Sequence, residues 1–431
     1  MDKSLEIYSS PDYKRSRAAY IMECTFEYFV ALLVSDAYLA NLLRYMGIGD
    51  AMIGIIASLI NLAFLFQLLS IVAVKHIVNV KRASIIIHFA SQLFFMSLFF
   101  IPFMPFAAEY KTVIVVACIL VAYLGNYLVT SIIFKWGLSY VDSRKRASFG
   151  ASKEMVSLIC GTIFTLAIGF TYDKFEAGGN VIGGFIFLAA GILVCSLLDL
   201  ICLLLMKKPE LVKSEERKEP IGVVLKKLLK NKAFVCLLFI GMLFYVSNSM
   251  TNSFMGAYKT GDLAFSIGEI QIINTVGVMC RFALSKPLGK FSDKTSHSTG
   301  LLLGFGMLSV CFFLNIFTSP SARWMIYAYS LLHHGSMAAI HQNFLNITFD
   351  YVENEYFVQA TSIKAAVSGI SGFSATLIGA AILNSVQSNS NTVFGIEMRA
   401  QQLLSAISFA VMLVLCLFFI FVFKKQKKIR E

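Results

Sequence analysis

Twelve long apolar stretches, each bounded by polar or charged residues, restrict the fold of this 431-residue chain more than any other feature. They lie near 18–43, 51–74, 83–104, 111–139, 150–172, 179–206, 233–258, 266–288, 299–318, 323–348, 360–384 and 398–423. Crossing the hydrocarbon core of a bilayer takes about 20 helical residues, whose backbone groups are all satisfied within the segment. Each stretch therefore predicts a transmembrane helix. Only 14% of residues are charged, against about 25% in a soluble domain, so the connections are short. A soluble enzyme, a disordered chain and a receptor with a large extramembrane domain are excluded. The expected fold class is an all-α polytopic membrane protein of twelve transmembrane helices.

The net charge of +12 raises the question of nucleic acid, and its placement answers it. With an even number of spans both termini share one side, and 29 of the 37 Lys and Arg residues fall on that side. Six fall on the other: Arg44, Lys111, Lys174, Lys259, Arg323 and Arg399. The positive-inside rule makes the terminus side cytoplasmic. No nucleic-acid partner is expected, and both termini are expected on the cytoplasmic side of the cell (inner) membrane. The cationic cluster Lys14, Arg15 and Arg17 before the first stretch reads as the flank of a retained first helix rather than a signal peptide.

The nine cysteines all fall inside apolar stretches without C-x-x-C spacing, so neither disulfides nor a metal site is expected. No phosphate-binding loop, H-E-x-x-H or G-x-S-x-G pattern occurs. No enzyme activity and no cofactor are expected.

The longest polar interruption, residues 207–232, divides the chain into an N-terminal bundle (1–206) and a C-terminal bundle with a basic tail (233–431). Within it Pro220 can open a short helix that places Ile221, Val224, Leu225 and Leu228 on one face. The expectation is an amphipathic helix lying on the cytoplasmic membrane surface. The two halves also resemble each other. Tyr140 to Ser157 and Tyr351 to Ser368 share Tyr, Val, Lys, Val and Ser in register, with Asp142 opposite Glu353. Ile48-Gly49-Asp50 aligns with Ile267-Gly268-Glu269 in the same way. Repeated six-helix halves are a transporter architecture with the binding site at the repeat interface.

Between spans eight and nine runs Gly289-Lys290-Phe291-Ser292-Asp293-Lys294, and after span four runs Asp142-Ser143-Arg144-Lys145-Arg146. These resemble the G-x-x-x-D-[RK] signature and the Arg-rich loop of the major facilitator superfamily. At the equivalent first-half position Lys75 or His76 replaces the aspartate. The resemblance implies two pseudo-symmetric six-helix bundles and alternating access. It also implies a gating role for Gly289, Asp293, Lys294 and Arg144, and a cavity lined by spans one, four, seven and ten. Asp293 is expected to face the positive N-terminus of a neighbouring helix.

Ionisable side chains cost about 2.5–3.5 kcal/mol at the centre of a span, so each asks for a reason. Span one carries Glu23, Glu27 and Asp36, and span four carries Lys135. Spans six and eight carry Asp199 and Arg281, the latter a candidate partner for Asp36 or Asp199. Span seven offers Tyr245, Asn248 and Asn252 as a stripe, and span ten offers His334 and His341 at i, i+7. At about 1.5 Å rise per residue, Glu23, Lys135 and His341 form a tier about 8–11 Å from the cytoplasmic end. Glu27, Asn248 and His334 form a deeper one. A Glu23–Lys135 pair is expected in the outer tier and solute or proton binding in the inner.

These residues predict a secondary active transporter of a small polar or amphiphilic organic solute, proton-coupled through Glu27 or Glu23. A facilitator or flippase without coupling, and a receptor or scaffold that has lost transport, share the same pattern. The expected partners are a small solute, protons and membrane lipids, and a monomer is expected. After span ten, Asp350, Glu353 and Glu355 break the cationic trend. They are read as a latch onto the basic 144–153 loop.

Overall fold

The computed structural model describes residues 8, 10–73, 79–141, 146–207, 221–353, 356–393 and 395–426. Among these, ten helices are long and apolar enough to cross a membrane. The two other predicted spans are also helical. The second is split into Asp50–Ala57 and Leu59–Ala73, and the tenth, Met325–Tyr351, is made more polar by His333, His334, His341 and Asn343. The all-α polytopic class is therefore the observed one.

By internal packing the chain forms two compact units. The first comprises 1–48, 63–214 and 266–271, and the second 49–62, 215–265 and 272–431.

In the first unit, α1 (Pro11–Leu33) starts where Ser10 accepts a hydrogen bond from the Tyr13 amide and Pro11 takes the first turn. The predicted first span does not run on as one helix. It breaks before α2 (Asp36–Tyr45), where Asp36 has φ 45°, a conformation that Asp tolerates better than most residues. Next come α3 (Asp50–Ala57) and α4 (Leu59–Ala73), the first of which belongs to the second unit. The first unit continues with α5 (Val80–Ser97), α6 (Ala108–Leu138), α7 (Arg146–Ala177) and α8 (Val181–Leu205).

Helix α1 packs on α7 and α8, and α5 on α6 and α8. Tyr13, Tyr20, Ile85, Val129, Ile133, Trp136, Tyr140 and Leu203 bury a shared core. One end of this unit is tied by polar contacts. The Lys207 carbonyl accepts from the Tyr140 hydroxyl and, at 2.8 Å, from Trp136 Nε1, and Arg17 donates to the Tyr140 carbonyl at 2.9 Å.

The second unit opens with α9 (Ile221–Lys230), the expected amphipathic helix. Its apolar face is covered by protein rather than lipid: Val224 and Leu228 are buried against Phe234, Leu238, Val352 and Ala360. Asn231 then caps α10 (Lys232–Asn252) by accepting from the Ala233 and Phe234 amides. The remaining helices are α11 (Met255–Thr260), α12 (Ile267–Lys294), α13 (His297–Asn315), α14 (Met325–Tyr351), α15 (Phe357–Ser388) and α16 (Ala400–Phe421).

Helix α10 packs on α15 and α16, and α13 on α14 and α16. Small polar residues join α10 to α16: the Ser247 and Ser408 hydroxyls each donate to the other's carbonyl at 2.7 Å. Close approach needs glycine at Gly54, where a Cβ would lie 2.1 Å from the Phe254 ring. A two-residue antiparallel pair, Thr392–Val393 with Ile396–Glu397, precedes α16.

Candidate functional site

Each unit gathers intramembrane polar side chains into a cluster of its own. In the first unit, Glu23 is 1% exposed and Glu27 is half-buried one turn along α1. The Glu27 carboxylate accepts a hydrogen bond from Asn126 Nδ2 of α6 at 3.1 Å. The Glu23 carboxylate accepts one from the Cys24 thiol at 3.1 Å and lies with His88 of α5 and Asp199 of α8. Donor atoms of these three residues are all within 4.8 Å of one another. His88 Nε2 is 2.8 Å from Asp199 Oδ2, to which Gln92 Nε2, one turn along α5, donates at 2.6 Å.

The Glu23–Lys135 pair is therefore not formed. Lys135 is exposed, whereas Glu23 is turned into the bundle toward α5 and α8. Asp199 has His88 and Gln92 as partners. His88, Gln92 and Asn126 carry these contacts and were not among the residues expected from sequence. Their signal was present as His and Gln at i, i+4 inside an apolar stretch.

In the second unit the stripe on α10 meets α14. Asn252 Nδ2 donates to Asn248 Oδ1 at 2.6 Å and to His333 Nε2 at 2.8 Å, and the Tyr329 hydroxyl donates to Asn252 Oδ1. His333 Nε2 also lies 3.2 Å from Asn248 Oδ1, and its ring stacks on Tyr329. Tyr245, half-buried on α10, meets Phe244 edge-on and approaches Gly372 of α15. The histidine in this network is His333 rather than the expected His334 and His341. His334 Nδ1 bonds to the Ser330 carbonyl at 2.9 Å and packs where a Cβ at Gly277 would come within 2.5 Å of it. His341 is exposed.

The second unit also holds a buried cation. Lys364 is 6% exposed within α15. Its Nζ donates to the Phe344 carbonyl at 2.6 Å and to Thr348 Oγ1 at 2.8 Å, over the Phe344 ring at 4.1 Å.

The signature segment lies at a helix end: Gly289, Asp293 and Lys294 form the last turns of α12, with Gly289 buried and Asp293 and Lys294 exposed. Asp293 makes no hydrogen bond or ion pair among the described residues. Ser296 caps α13, and the acid at this end is Asp350, 3.2 Å from His297 Nδ1. Arg144 and Glu355, and with them the expected latch, lie outside the described residues.

Chemically, the first cluster offers carboxylates beside an imidazole, and the second a web of amide, imidazole and phenol that can exchange hydrogen bonds with a polar solute.

Residues 237–430 match the Major Facilitator Superfamily. No curated protein matches the chain by sequence. Among solved structures, the nucleoside transporter NupG is similar at TM-score 0.66 and 13% identity, covering 97% of this chain and 100% of that one. A bacterial homologue of the iron transporter ferroportin, in an inward-facing state, gives 0.66 and 13% over 97% and 99%. A bacterial homologue of the human lysosomal transporter Spinster gives 0.65 and 13% over 95% and 96%. At these identities the structures speak for the fold alone. The second half of the chain thus matches the Major Facilitator Superfamily, and the whole length shares the fold of these solved transporters.

Proposed function

We propose that the protein is a secondary active transporter of a small polar or amphiphilic organic solute, working by alternating access and driven by proton binding at Glu27. The observation that carries this reading is the environment of Glu27. It is a half-buried mid-span carboxylate held by the neutral Asn126 amide at 3.1 Å, with no ion pair among the described residues. A carboxylate placed in the middle of a span without an ion pair carries an insertion cost that asks for a functional reason. Glu23 is less suited because it is fully buried among other polar groups. In the second unit Tyr245, Asn248 and Asn252, joined by His333 and Tyr329, supply neutral donors and acceptors for the solute. The excess of Lys and Arg on the side of the termini supports a cytoplasmic location for both.

The test is transport by purified protein in proteoliposomes, with a panel of polar solutes and an imposed pH gradient. Glu27→Gln should abolish uphill accumulation while leaving solute exchange intact. Unchanged uphill transport by that variant overturns the coupling role. Uptake indifferent to the gradient in the wild type identifies a facilitator, and no uptake of any solute identifies a scaffold.

A further inference from the structure

We propose that Glu23, His88 and Asp199 hold one divalent transition-metal ion that clamps α1, α5 and α8 together inside the first unit. The three side chains come from three helices, are each 1% exposed, and bring donor atoms within 4.8 Å of one another. His88 Nε2 and Asp199 Oδ2 are 2.8 Å apart. Adjacent ligands on an ion bound at about 2.1 Å stand about 3 Å apart, so these two atoms need only a small adjustment to share one.

A further observation points to a cation. Asp199 Oδ1 is a buried acceptor with no hydrogen-bond donor among the described residues. An acceptor in that condition is costly, and a bound cation satisfies it.

The donor set decides the class of ion. One imidazole and two carboxylates suit zinc, manganese, iron or cobalt, whereas calcium and magnesium take oxygen ligands. Gln92, one turn from His88 and bonded to Asp199 at 2.6 Å, orients the ligands from behind. The burial of all three ligands makes the ion a fixture of the bundle rather than its cargo. The site stands apart from Glu27, whose carboxylate bonds to Asn126, so either proposal can fail without the other.

The experiment titrates chelator-stripped, full-length protein in detergent with Co²⁺, followed by its visible ligand-field absorption, and with Zn²⁺ by calorimetry. The expected result is one ion per chain and a higher unfolding temperature with Zn²⁺. His88→Ala and Asp199→Asn should abolish the Co²⁺ band, and Gln92→Leu should weaken binding about 10–100-fold. His297→Ala, at the more exposed His297–Asp350 pair, should leave binding unchanged. Wild-type protein that shows neither a Co²⁺ band nor Zn²⁺ heat at millimolar metal overturns the proposal, whatever the variants do. Binding that survives both His88→Ala and Asp199→Asn, or is lost in His297→Ala, overturns it equally.

Discussion

Asn252 joins three partners in the second unit: it donates to Asn248 and His333 and accepts from Tyr329. Interhelical hydrogen bonds in membranes average about 0.6 kcal/mol each, so losing three costs about 2 kcal/mol. Asn252→Ala should lower stability by that amount in thermal unfolding of the detergent-solubilised protein. His341→Ala, at an exposed position, should change it by less than about 0.5 kcal/mol. Equal effects would show that the network is not formed. Residue types at single positions were legible, because a polar group in an apolar stretch needs a reason. Glu27, Asn248 and Asn252 stood out on that ground alone. Which of two adjacent histidines faces the asparagines was not legible. They differ by about 100° of helix, and the choice is fixed by how α14 packs, with His334 fitted against Gly277.

At the scale of the element, helix α9 shows where pattern stops and packing begins. Its periodicity correctly marked an amphipathic helix after Pro220, but an apolar face does not record what covers it. The cover is Phe234, Leu238, Val352 and Ala360, which makes Leu228 a core residue. Leu228→Ala should therefore destabilise the protein by about 2 kcal/mol, the low end for such a truncation because a ten-residue helix can resettle. Val223→Ala, at a side chain 45% exposed, should stay within about 0.5 kcal/mol. Chemical denaturation of both variants reads the difference; if the helix lay on lipid instead, Leu228→Ala would be as mild as Val223→Ala. The break at Asp36 escaped for a related reason. Hydropathy reports whether a stretch is apolar, whereas a single positive φ costs too little to mark composition.

At the scale of the whole molecule, the spans were legible because the bilayer imposes one length and one polarity on each of them. The meeting of Glu23, His88 and Asp199 was not, since it depends on the rotation of three helices that lie far apart in sequence. Orientation is the remaining global property, and it rests on charge. The side of the termini carries 29 of 37 cationic residues, a bias that supports a cytoplasmic location for it. Single cysteines placed at exposed positions of a cysteine-free background test it with a membrane-impermeant maleimide. Lys226→Cys, on the exposed side of α9, should react only when the cytoplasmic face is presented, as in inverted vesicles. Glu109→Cys, exposed at the start of α6, should react only in intact cells or right-side-out vesicles. The opposite pattern would reverse the orientation. It would also place the Lys- and Arg-rich linker outside the cell, against the positive-inside bias.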